Sequence, residues 1–251
     1  MTAGAVIDRA AVRRFLRRKG MVALPDRETP AHLAAHGLAA DLVIDAGVDA
    51  GTPFLYRALP DALFLLVDPR AEARAALDRP DAPARAVFHA VALGAGEGQA
   101  MLTIPRTARG PDGAMASLRR RIGAMADRVT ASEVRPVPVT TLDALAAPHP
   151  GRIGIKIDTE GYEAEVLDGA RETLRRTDFV ILELSVTPRF DGILPPSAVI
   201  ARLAAAGLEL RDVLRLTGDG RGGAAPRHMD VLFTRWPDGG DRSSSQDPAR
   251  Q

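Results

Sequence analysis

Residues 155–161 read Ile-Lys-Ile-Asp-Thr-Glu-Gly, which lodges three charged side chains at the end of an otherwise apolar run. Unpaired charge in a sheet interior is expensive, so Lys156, Asp158 and Glu160 must be paired, hydrated or at work in a site. A site accounts best for all three. In an open parallel sheet the ligand crevice lies beyond the carboxyl ends of the strands, which is where this run places them.

Comparable runs recur along the chain. Residues 41–45 form a short apolar run ending in Asp45, followed by a loop with Gly47 and Gly51 and then by Thr52-Pro53, an N-cap type and a first-turn proline. Strand, glycine loop and helix in that order are how a βαβ nucleotide site begins. Runs at 63–67, 87–93, 153–158 and 179–184 supply further strands, with helices expected over 71–77, 161–176 and 197–206. The alternation predicts an α/β fold: a doubly wound, mostly parallel sheet with helices on both faces. Residues 208–216 and 228–235 add a terminal pair of strands.

Between the third and fourth runs lie roughly 60 residues, too many for a compact crossover, so about 99–140 is read as an insertion. It should hold strands at 99–104 and 134–139, the second confined to an edge by Pro136 and Pro138. The arginine-bearing stretch 105–132 is placed to cap the site, and 141–145 suggests a short helix. Residues 1–40 form an N-terminal helical segment with helices at 5–19 and 31–38, and 41–236 form the main domain. The glycine-rich loop 218–223 is read as mobile, and 237–251, almost without apolar residues, as a disordered tail.

A chain of 251 residues can bury a substantial core as one α/β domain. Lys+Arg 33 against Asp+Glu 32 leaves a net charge of +1, so no global field favours nucleic acid or an anionic membrane. The count of 0 cysteines excludes a disulfide framework, a thiolate metal site and a cysteine nucleophile. The basic run at 13–19 has no apolar stretch after it, so it is not a secretory signal, and its basic face is read as solvated. No segment approaches the roughly 20 apolar residues of a membrane span. These features point to a cytoplasmic protein acting on a small molecule, and they leave a homo-oligomer open.

Asp45, Asp68, Asp158 and Glu183 all end apolar runs. If the first and fourth strands are neighbours, Asp45, Lys156 and Asp158 converge on one edge of the crevice. An acid ending the second strand can accept hydrogen bonds from both hydroxyls of a ribose, and Asp68 is so placed. Gly47 and Gly51 allow close backbone approach, while Asp45 and Asp49 would repel a pyrophosphate. A cationic or zwitterionic nucleoside suits these acids better, and S-adenosylmethionine is one.

These residues resemble the FkbM family of S-adenosylmethionine-dependent methyltransferases. The resemblance runs through the loop 45–51, Asp68-Pro69, Ala92-Leu93, Thr141-Leu142-Asp143, the Lys-x-Asp-x-Glu-Gly motif at 156–161 and Glu165-Val166-Leu167-Asp168-Gly169-Ala170, in order, over about residues 40–236. Each match is weak, whereas the ordered set is specific. It implies a class I methyltransferase fold, Rossmann-like, with a seven-stranded sheet ending in an antiparallel strand, and O-methylation of a hydroxyl on a sugar or secondary metabolite. Carried over, Asp45, Gly47 and Gly51 would cradle the methionine part of the cofactor, Asp68 its ribose, and Ala92-Leu93 its adenine. Lys156, Asp158 and Glu160 would face the reacting centre, with Asp158 or Glu160 as general base. One departure stands out: Val48-Asp49 replaces the family's Ala-Asn, so Asp49 either pairs with the cofactor ammonium or weakens its binding.

Other features carry less. Gly94, Gly96 and Gly98 follow a strand but precede another strand, so they are read as a hairpin turn rather than a dinucleotide motif. His32 and His36 share i, i+4 spacing without an HExxH pattern and are read as two exposed helix histidines, with no metal site assigned. His228 precedes the last strand beside a glycine-rich loop and is a further candidate base, although exposure to water is its simpler role. Arg119, Arg120 and Arg121 read most simply as a solvated helix face. A divalent ion held by Asp158, Glu160 and Glu183 is a lesser variant. Two functional alternatives stand: a nicotinamide-dependent oxidoreductase, disfavoured by the missing G-x-G-x-x-G, and a noncatalytic cofactor-binding module.

Overall fold

The computed structural model describes residues 8–21, 24–108, 110–217 and 227–236. Its main sheet contains β1 (Leu42–Ala46), β2 (Leu63–Val67), β3 (Ala86–His89), β8 (Ile153–Ile157), β9 (Thr177–Ser185), β10 (Leu208–Thr217) and β11 (His228–Arg235). The seven strands lie in the order β10-β11-β9-β8-β1-β2-β3, with β11 antiparallel to both β9 and β10. The other pairings are parallel. This is the expected class I methyltransferase architecture. The chain winds outward from β1 to β3 and returns on the other side of β1 as β8, so the strand order reverses between those two.

Period-2 alternation divides each central strand between two apolar layers. Leu42, Ile44, Leu65, Val67, Val180 and Leu182 face one layer, closed by α4 (Leu142–Ala146), α5 (Glu163–Asp168), α6 (Arg171–Arg175) and α7 (Pro196–Ala205). Val43, Phe64, Leu66, Phe179 and Ile181 face the other, closed by Leu33 of α2 (Pro30–Ala35) and by Leu55 and Tyr56 of α3 (Pro53–Ala58). Burial on both faces explains why these runs are continuously apolar. α1 (Arg9–Arg18) is capped by Asp8, which accepts from the N–H groups of Ala10 and Ala11, and its basic face is exposed.

The insertion is a second sheet of β4 (Ala92–Leu93), β5 (Gly98–Thr107), β6 (Gly110–Pro111) and β7 (Ala131–Thr140), ordered β4-β7-β5-β6. Five sequence expectations need correction here. The run 87–93 is two strands, β3 in the main sheet and β4 in the second. The turn at 94–97 is not a hairpin, because β4 and β5 both pair with β7 and not with each other. β7 is internal by order, yet β4 covers only Val139 and Thr140, so the stretch with Pro136 and Pro138 keeps one side unpaired within the sheet. The helix expected over 161–176 is α5 and α6, divided at Gly169, where an added Cβ would lie 2.0 Å from the Gly94 carbonyl oxygen. Residues 71–78 are 3-10 rather than α-helical. The loop 218–223 and the tail 237–251 lie outside the described residues.

Candidate active site

β1 and β8 are neighbours with Asp45 opposite Lys156, so the strand-order reversal brings the expected charges together. Asp45 is fully buried and accepts a 2.6 Å hydrogen bond from the Tyr56 hydroxyl. Lys156 Nζ lies 3.5 Å from Asp45 Oδ1 and 3.4 Å from Asp158 Oδ2, and it donates to the Gly47 carbonyl at 3.2 Å. Burial opposes the ammonium charge, but Asp158 and Asp45 together outweigh it and raise the Lys156 pKa. Burial, then the Asp45 charge, raises the Tyr56 pKa and keeps the phenol a donor.

The loop after β1 packs directly on the segment after β8. An added Cβ at Gly47 would stand 1.8 Å from the Asp158 carbonyl oxygen, and its φ of +77° already disfavours any other residue. Asp49 adopts φ 41°, and its N–H donates to Asp68 Oδ2 at 3.1 Å. Arg70 then closes a clamp: its Nη2 lies 2.8 Å from Asp49 Oδ1 and 2.9 Å from Asp68 Oδ2, while its Nε and backbone N–H both donate to Asp68 Oδ1. The Asp49 carboxylate thus shares a single guanidinium with Asp68.

The far wall is built from β9, β11 and the insertion. Glu183 pairs with Arg189 and lies 3.1 Å from His228 Nε2. Glu160, at φ 52°, accepts from Arg189 at 2.8 Å and Arg121 at 2.9 Å. The guanidinium groups of Arg121 and Arg189 lie over the Phe190 ring, at 4.4 and 5.3 Å respectively. Burial raises the Glu160 pKa despite Arg189 and Arg121, and burial followed by Asp158 and Glu160 raises that of Glu183. Burial, followed by Arg189 and Arg215, lowers His228 to about 4. Glu163 holds the turn below: its Oε1 accepts from the Thr159 and Gly161 N–H groups, and burial pushes it up to about 7.

Two cavities meet here. One, of about 290 Å³, is lined by Gly47, Asp49, Asp68, Ala92, Leu93 and Tyr162 and by Leu102 and Leu118 from the insertion. The other, of about 260 Å³, runs along the Gly47–Phe54 loop past Lys156 to Glu28 and Asp230. Gly47, Asp49, Asp158, Glu183 and Arg215 line both. The Asp158, Glu160 and Glu183 oxygens lie within 4.8 Å of one another, close enough for a metal ion, but Lys156, Arg121 and Arg189 already neutralise them.

A family model, the methyltransferase FkbM domain, matches residues 46–219. The chain belongs to that family. Solved structures of similar fold include the methyltransferase FkbM from Methylobacillus flagellatus, at 14% identity and TM-score 0.46, over 88% of this chain and 50% of that one. The chain thus spans half the length of that FkbM protein. Aeropyrum pernix fibrillarin with natively bound S-adenosyl-L-methionine aligns at 13% identity and TM-score 0.43, over 87% of this chain and 72% of that one. The Synechocystis magnesium protoporphyrin IX methyltransferase with bound SAM aligns at 13% and 0.43, over 94% of this chain and 100% of that one. A comparison with curated proteins finds no match.

Gly47, Asp49, Asp68, Ala92, Leu93, Asp158 and Glu160 of the FkbM domain share one cavity wall with His228, which follows the matched residues, while Gly51 and Lys156 line the neighbouring cavity. Asp45 lines neither and instead supports Lys156 and Tyr56 from beneath. His228 is buried, not water-exposed as its position before the strand suggested. The arginine triplet is not a solvated face: Arg121 pairs with Glu160, Arg119 with Glu165, and only Arg120 with its partner Asp191 is largely exposed. Sequence reasoning missed Arg70, Arg189 and Arg215, and placed Arg121 only within the stretch expected to cap the site. Arg70 and Arg189 do follow a strand-end acid, Asp68 and Glu183, but many solvated arginines share that signal.

Proposed function

We propose that this FkbM domain is an S-adenosylmethionine-dependent O-methyltransferase whose acceptor is a hydroxyl of a sugar or secondary metabolite. The observation that supports it most is the meeting of two cavities at Asp158, which together leave room for a cofactor and a second substrate. The Asp68 and Ala92-Leu93 side of the first suits ribose and adenine, and the loop with Gly47 and Gly51 suits the methionine part. All acceptor positions of Asp68 are taken by Asp49 N–H and Arg70, so a ribose bound there requires the Arg70 side chain to turn away.

S-adenosylmethionine supplies an electrophilic methyl group. The protein aligns an acceptor oxygen against it and takes the proton that oxygen loses. Asp158 is assigned as that base, because it lines both cavities with 29% of its side chain exposed. Glu160 is committed to two guanidinium groups, and His228 Nε2 is held against Glu183. Lys156 positions Asp158. Asp158→Asn should keep the affinity for S-adenosylhomocysteine within about threefold and cut methyl transfer by roughly 10²–10⁴-fold.

Calorimetry with S-adenosylhomocysteine and NAD in parallel, followed by an acceptor screen with radiolabelled S-adenosylmethionine, tests the reading. Saturable binding of S-adenosylhomocysteine alone and label transferred to a hydroxyl support it. NAD binding, transfer to amines only, or full activity of Asp158→Asn overturns the corresponding part.

A further inference from the structure

The i, i+4 spacing of His32 and His36 puts both rings on one face of α2. The third dimension adds what the spacing lacks. Asp212, from β10, lies 2.7 Å from His32 Nε2 and 3.2 Å from His36 Nε2 through the same oxygen, Oδ2. The three donor atoms lie within 4.8 Å of one another, and all three residues are half-buried. Metal–ligand arms of about 2.0–2.1 Å in a tetrahedral site place neighbouring donors about 3.3 Å apart, and both Asp212 contacts stand near that spacing.

The surroundings orient Asp212 as a ligand. The β10–β11 register slips on both sides of it, between Leu210 and Asp212 and between Val213 and Arg215, and such irregularities re-aim side chains. Its other oxygen, Oδ1, accepts from the Val213 N–H at 2.8 Å and pairs with Arg27, which also donates to the Val213 carbonyl. One oxygen is therefore held by outer partners while the other is presented to two imidazoles, the arrangement in which a ligating carboxylate is fixed.

The geometry points to a zinc-class divalent metal site formed by His32, His36 and Asp212, with a water as fourth ligand, that clamps the N-terminal segment to the sheet edge. Two imidazoles and one carboxylate select a transition metal over magnesium or calcium. The clamped segment carries Glu28, which pairs with Arg215 at 3.5 Å and lines the second cavity, so the metal would steady one wall of the site from a distance.

The test uses full-length protein freed of metal by chelation, titrated with Co(II) by visible absorption and with Zn(II) and Mg(II) by thermal shift. One equivalent of Co(II) should bind with the ligand-field bands of a four-coordinate site. Zn(II) at about 100 times its Kd should raise Tm by about 5–10 °C, and Mg(II) should do nothing. His36→Ala and Asp212→Asn should each weaken binding at least about 100-fold, and His149→Ala should not. His32→Ala, on a different turn of the helix, serves if Asp212→Asn disturbs the strand. Absence of saturable binding below about 100 μM, or unchanged binding in the His32 and His36 variants, refutes the site and leaves two imidazoles hydrogen-bonded to a carboxylate.

Discussion

Replacing Lys156 with methionine isolates the charge that the site is built around. Methionine keeps the apolar stem but removes the ammonium shared by Asp45, Asp158 and the Gly47 carbonyl. The two carboxylates respond differently. Asp158 can be hydrated, with 29% of its side chain exposed, whereas Asp45 is at 0% and keeps only the Tyr56 hydroxyl. Breaking a buried pair from one side costs about 3–5 kcal/mol, because the remaining charge is left without compensation. For a domain of this size that lowers Tm by about 6–20 °C. Asp45→Asn in the same background removes the orphaned charge while retaining an acceptor for Tyr56, so the double variant should regain at least about 2 kcal/mol over the single. Urea and thermal unfolding of wild type, both single variants and the double variant measure this as a double-mutant cycle. A loss below about 1 kcal/mol in Lys156→Met, or a double variant no more stable than the single, would refute the reasoning.

Glu163, raised by burial to about 7, binds its proton more tightly in the folded than in the unfolded state. Its contribution is complete below about pH 4.5 and is lost as pH rises towards 7, so Glu163→Gln should gain about 3 kcal/mol on wild type across that window, read from unfolding midpoints against pH; parallel pH profiles would disprove it. Asp68→Ala should weaken S-adenosylhomocysteine binding at least about 10-fold by calorimetry with the fold retained, since even one charge-assisted hydrogen bond is worth about 1.5–3 kcal/mol. Asp49→Asn deprives Arg70 of one of its two carboxylates and should tighten the same ligand by about 2–5-fold, the scale of a part-exposed pair. Weaker binding would instead place Asp49 on the cofactor ammonium.

What the sequence alone determined is what depends on local pattern. Continuous apolar runs ending in acids, with a glycine loop after the first, specify a parallel sheet and the end at which its acids gather, because strand period and strand-end chemistry are properties of neighbouring residues. The ordered motifs from Asp45 to Ala170 carried the family in the same way. Only the tertiary structure decided which charges meet. Asp45 reads like Asp68 along the chain, yet one is sealed beneath Lys156 and Tyr56 and the other lines a cavity, since strand order determines which side chain has a neighbour above it. Arg70 on Asp49, Arg121 and Arg189 on Glu160, and Asp212 on His32 and His36 join residues 21 to 180 positions apart. No local periodicity encodes such pairs, because long flexible side chains find their partners only after the backbone has brought the elements together.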